Sequence, residues 1–188
     1  YLKILYVSGG YENWLLNIQS NIFLSVNLNE GNKITILAPM NETRAGHGLI
    51  GFDHFIIAVG GENKKAVEKY NIYENNWSVM KPMKFERKYP ILCIYGCYLY
   101  AFFGLLSNGN YCNTIEKINL RDEDADWEQV QFRNPKKINL HYYGCAVHLN
   151  NNVLIFFGGK LDNNPTNTIF YYNFDSSTSL KYEKESDS

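Results

Sequence analysis

Phe55-Ile56-Ile57-Ala58-Val59-Gly60-Gly61 is a short apolar run that stops on a glycine pair. Its β-branched and aromatic residues suit a buried strand, and glycine opens backbone conformations closed to other residues where the chain leaves it. Versions of the run stand at Ile4 to Gly10, Leu99 to Gly104 and Val153 to Gly159. In the third, Phe103 takes the place of the first glycine. The matching positions 9, 60, 103 and 158 lie 51, 43 and 55 residues apart, close to a repeat of about 50.

A second run follows each glycine pair: Phe23 to Leu28, Val67 to Ile72, Ile115 to Leu120 and Ile169 to Phe174. Asn27, Asn71, Asn119 and Asn173 fall in register within it. Shortly afterwards comes one large apolar residue, Ile34, Trp77, Trp127 or Leu180. Pro39-Met40 and Pro82-Met83 then precede Arg44 and Arg87, each sixteen residues before the next glycine position. A lone Gly-Gly carries no information, whereas this order of offsets is specific.

The ordered set resembles the kelch repeat, most clearly in the second unit, over nearly the whole chain. The resemblance implies an all-β fold, a β-propeller of four-stranded antiparallel blades. About four blades are expected in residues 1–182, with units near 1–40, 41–83, 84–133 and 134–182 and a polar tail at 183–188. Kelch propellers are most often six-bladed, so the chain reads as a segment of a larger one. Within a blade the strands run A to D, inner to outer. The second unit has A near 46–51, B near 54–59, C near 66–72 and D near 77–81. The third has them near 91–95, 97–102, 114–119 and 127–130, and the fourth near 143–149, 152–157, 168–174 and 179–182. The first unit has B, C and D without A. Gly9, Gly10, Gly60, Gly61, Gly104, Gly158 and Gly159 are structural, and Trp77 and Trp127 are wedges between neighbouring blades.

Composition supports a packed core: 45% of residues are hydrophobic, with 15 Tyr and 11 Phe. Lys plus Arg is 18 and Asp plus Glu is 19, a net charge of −1, which argues against general nucleic-acid binding. Ile91 to Leu106 is uncharged but short of a membrane span, which needs about 20 residues; with Pro90 before it and Gly96 inside it, two strands joined at Tyr95-Gly96 are expected, and no membrane contact. Cys93, Cys97, Cys112 and Cys145 show no Cys-x-x-Cys spacing and are expected as reduced, mostly buried thiols. The chain opens Tyr1-Leu2-Lys3 without a signal-peptide pattern, and a cytoplasmic location is expected.

Some kelch propellers are copper oxidases and others act on sialic acids. Here the residues for such chemistry would be His47, His54, His141, His148, Tyr142, Tyr143, Tyr111 and Cys112, and none forms a ligand spacing distinct from chance. No catalytic residue, metal or cofactor is therefore assigned. The expected function is a non-catalytic protein-interaction module. It could serve as the recognition domain of an adaptor or as a scaffold in a cytoskeletal assembly, within a larger multidomain protein.

Loop charges suggest where a partner sits. The D strands and D–A loops carry Arg44, Lys81, Lys84, Arg87, Lys88, Arg133, Lys136 and Lys137, while the C–D loops carry Glu30, Glu74, Asp122, Glu123, Asp124 and Asp126. These are either ordinary solvated charges or one basic face. In kelch adaptors, arginines at the positions of Arg44 and Arg87 can line a peptide pocket; the alternative is local pairing with a neighbouring blade. The long first B–C loop carries Trp14, Leu15, Leu16 and Ile18, which either pack back on their own blade or anchor a partner. Arg44, Arg87, Lys84, Lys137, Trp14 and Leu15 are the candidate partner-binding residues. The expected ligand is a protein or an acidic or phosphorylated peptide with an apolar residue.

Overall fold

The computed structural model describes residues 3–130, 145–150, 153–157, 160–161, 164–165, 169–175 and 178–182, with side chains for 3–130 and 172–175. Every regular element among them is a strand; none is helical. The chain forms two compact units, Tyr1–Lys88 and Tyr89–Ser188.

The first unit opens with β1 (Ile4–Ser8), then a small hairpin of β2 (Tyr11–Asn13) and β3 (Ile18–Gln19), then β4 (Phe23–Asn27) and β5 (Lys33–Ile36). β1, β4 and β5 make a three-stranded antiparallel sheet, one strand fewer than the sheets that follow. Next come β6 (Gly48–Phe52), β7 (Phe55–Val59), β8 (Val67–Asn71) and β9 (Asn76–Met80), a four-stranded antiparallel meander in chain order.

The second unit repeats the meander in β10 (Ile91–Tyr95), β11 (Tyr98–Phe102), β12 (Ile115–Asn119) and β13 (Glu128–Val130). Its last sheet is β14 (Cys145–Asn150), β15 (Val153–Phe157), β18 (Ile169–Asn173) and β19 (Thr178–Tyr182). A second small hairpin, β16 (Lys160–Leu161) with β17 (Asn164–Pro165), interrupts it. Most strands lie within a residue or two of the expected positions. The recurring asparagines acquire a reason here. Asn27, Asn71, Asn119 and Asn173 each accept, through Oδ1, the N–H two residues on, at 3.0 Å. Each closes the same turn at the end of the third-position strand.

Within each unit the sheets pack through aromatic contacts. In the first unit Phe23 is wholly buried, edge-on to Tyr70 at 4.7 Å and Trp77 at 4.9 Å. In the second, Tyr172, which stands in β18 where Tyr70 stands in β8, packs edge-on to Phe102 at 5.5 Å. Trp127 is buried, as expected of a wedge. Trp77 is half-buried, less enclosed than expected, and its indole N–H donates to the Ala38 carbonyl at 2.9 Å. Cys93 and Cys112 are buried, while Cys97, expected to be buried, is half-exposed at a turn.

The division between the two units falls after Lys88. The segment after β9 returns over its own sheet: Met83 N–H donates to Lys65 O, Arg87 N–H to Lys64 O, and Gly61 N–H to Arg87 O. Lys137, Gly158, Gly159 and the tail 183–188 lie outside the described residues.

Candidate protein-interaction surface

The glycine pairs and the arginines belong to one device. Gly9 and Gly60 have φ of +55° and +68°. A Cβ on Gly9 would lie 2.4 Å from the Arg44 carbonyl oxygen, and one on Gly60 would lie 2.5 Å from that of Arg87. The returning segment thus rests on a bare Cα, which explains the glycine. Phe103 adopts φ +53° at the matching point of the third repeat, a conformation that is uncommon for a bulky side chain.

Arg44 is 0% exposed. Its Nη1 donates to the carbonyls of Gly60 at 2.7 Å and Ala66 at 2.8 Å, and its Nε and Nη2 donate to Glu68 Oε1 at 3.1 and 2.8 Å. Glu68, also buried, accepts the N–H groups of Asn41 and Glu42 as well. Arg87 is likewise 0% exposed. These guanidinium groups do not emerge on a surface, so the expectation that Arg44 and Arg87 grip a partner is corrected. Burying an arginine requires that its donors be satisfied inside the protein, and those of Arg44 are. Sequence reading missed Glu68. Its signal was an acid recurring at one strand position, Glu68 and Glu116, and Glu116 too is wholly buried.

Of the expected basic set, Lys88 is paired with Glu62 at 2.9 Å; elsewhere in the first unit Lys64 meets Glu42 at 2.7 Å. Lys84 is exposed.

His47 Nε2 lies 2.7 Å from Ser8 Oγ, a hydrogen-bonded pair, while its Nδ1 is buried without a partner. Burial first, then the Arg44 charge, push His47 down to about 4, so the ring is neutral at pH 7. A serine–histidine couple needs a group on Nδ1 to orient the ring, and none is present among the described residues. No three His, Cys, Asp or Glu side chains gather as a metal-binding set among them either, and no helix long and apolar enough to cross a membrane occurs among them.

What does reach outward is the β2–β3 hairpin. Trp14 and Leu15 are each 74% exposed and Leu16 is 69% exposed, so the loop does not fold back on its own sheet. Its tip is nonetheless ordered by local bonds: Asn13 Oδ1 accepts the Leu16 N–H at 3.1 Å, and Asn17, at φ +53°, donates to Trp14 O. Its base is clasped to the second repeat. The Tyr11 hydroxyl donates to Glu62, Gln19 Nε2 approaches the same carboxylate at 3.4 Å, and Lys88 Nζ reaches Glu62 at 2.9 Å and the Tyr11 oxygen at 3.0 Å. Burial opposes the Glu62 charge, but the bonds from Tyr11 and Lys88 outweigh it and hold the carboxyl below its usual range. The clasp is therefore charged at neutral pH.

Compared with models of known protein families, the chain matches none. Compared with curated proteins, it also finds no match.

Proposed function

We propose that this chain is a segment of a kelch-type β-propeller that serves as a protein-interaction module, with the β2–β3 hairpin as its anchor. Three exposed apolar side chains on an ordered, clasped hairpin carry this reading. Large apolar groups cost free energy in water, and Trp is the residue most enriched among interface anchors. Because the tip is held in place before binding, little ordering entropy opposes association. The repeated four-stranded meanders and the glycine–arginine device support the propeller reading.

The partner is a protein with an apolar pocket that admits Trp14 and Leu15. With Arg44 and Arg87 enclosed, acidic or phosphorylated side chains are secondary to that anchor.

The test begins with a photo-crosslinking residue in place of Leu15, used in cells to capture the partner. The affinity of that purified partner is then compared between the wild type and Trp14→Ala. A loss of about 2–4 kcal/mol is expected. Unchanged affinity would remove the hairpin from the interface, and crosslinks to lipid alone would point to a membrane surface instead.

A further inference from the structure

The clasp under the β2–β3 hairpin is assembled from residues that each follow a piece of the glycine–arginine device. Tyr11 follows Gly9-Gly10, Glu62 follows Gly60-Gly61 and Lys88 follows Arg87. The device fixes these three points against one another. Gly10 N–H donates to the Arg44 carbonyl at 2.7 Å, Gly61 N–H to the Arg87 carbonyl at 2.9 Å, and Glu62 N–H to the Ala45 carbonyl at 2.9 Å. Glu62 then divides its carboxylate. Oε2 takes both strands of the hairpin, through the Tyr11 hydroxyl on β2 and Gln19 Nε2 on β3, while Oε1 takes Lys88 Nζ. Lys88 Nζ also reaches the Tyr11 oxygen and lies over the Tyr11 ring, 5.5 Å from its centre. The Lys88 and Glu62 side chains are 18% and 21% exposed, so solvent screens this pair less than an open surface pair.

The hairpin's own pairing is slight. Its strands are three and two residues long, with an irregular register, and a two-stranded hairpin is marginal in water even when longer. We infer that Glu62 and Lys88, both contributed by the second repeat, are positioning residues for the hairpin. The anchor is then a property of two repeats together. Its presentation depends on the segment that carries Arg87 being seated on Gly60, although Gly60 lies far from the hairpin in sequence. This rests on the hairpin's proposed role as an anchor, and neither charged residue has to meet the partner.

The experiment is amide hydrogen exchange followed by NMR on the whole chain, with charge reversal at each half of the pair. Glu62→Lys and Lys88→Glu alone each set like charges together. Each should speed exchange at Leu16 and Ser20 about tenfold relative to β7 and β8, the scale of one lost charge-assisted hydrogen bond. The double reversal should bring the rates back toward wild type, because the new ammonium at position 62 can donate to the Tyr11 oxygen and to Gln19 Oε1, which is buried without a partner. Lys88→Met serves where a single reversal does not fold. Hairpin rates that stay at the wild-type value in the single variants, or fail to recover in the double one, would overturn the inference. Affinity for the partner captured at Leu15 should follow the same pattern, falling about tenfold and returning. Affinity that ignores the pair while Trp14→Ala still lowers it would also overturn the inference. Exchange that responds while affinity ignores both the pair and Trp14→Ala would support the positioning and remove the hairpin from the interface.

Discussion

Arg44 looks from sequence like a surface fork because it follows a proline in a loop and carries charge. Its environment reverses that. The loop returns over Gly9, the carbonyl of Arg44 receives the Gly10 N–H at 2.7 Å, and the side chain reaches forward to Gly60, Ala66 and Glu68. One residue thereby ties two repeats. Truncating one partner of an enclosed pair leaves an uncompensated charge, so Glu68→Ala should destabilise the chain by about 3–5 kcal/mol in urea unfolding. A loss under about 1 kcal/mol would be that of a solvated surface pair. His47, beside this pair, gives a second expectation. Its folded value of about 4 lies below the ordinary 6.5. The unfolded chain therefore binds a proton between those pH values that the folded chain does not. Stability is complete above pH 6.5 and falls as the pH drops toward 4. His47→Gln should flatten that slope in denaturation curves recorded across the window.

Strands were the most legible elements, because each is a short β-rich run bounded by glycine, asparagine or proline, and their register followed from the repeat. Trp77 shows where element-level reading met its limit. A tryptophan at a recurrent position implies a wedge, and it does pack on Phe23 and Tyr70. It sits on the outermost strand of its sheet, however, which leaves one edge wet. Trp77→Ala should accordingly cost about 2–3 kcal/mol, under the about 3–5 kcal/mol of a fully enclosed indole. A thermal-unfolding shift equivalent to the full value would mean that the indole is sealed in solution. The β2–β3 hairpin was not legible as strands. Its paired stretches are very short, its tip is apolar, and the groups that hold its base, Glu62 and Lys88, are distant in sequence. The β16–β17 hairpin occupies the corresponding loop of the fourth repeat and escaped notice for the same reason of length.

For the whole molecule, the repeat exposed the sheet order, while the candidate site was legible only in half. Trp14 and Leu15 stand out in the sequence as large apolar residues in a long loop, which packs back or binds, and the structure leaves both exposed. The assignment of Arg44 failed because charge in a one-dimensional pattern does not reveal that the buried acid Glu68, distant in sequence, will claim it, and that of Arg87 failed because its side chain is enclosed as well. The difference has a measurable consequence for binding. A basic face gripping an acidic peptide would lose affinity steeply with salt, since exposed pairs are screened beyond about 10 Å at 0.1 M. An apolar anchor would not, because burial of Trp14 and Leu15 releases water and neutralises no charge. The nearby lysines, Lys64 and Lys88, are already matched by Glu42 and Glu62, so few counterions are released when a partner arrives. Affinity for the partner captured at Leu15 should therefore change by less than about threefold between low salt and 0.5 M, measured by calorimetry. A fall of about a hundredfold would return the interface to its charges, and Lys84, exposed on the same unit, would then be the first residue to replace.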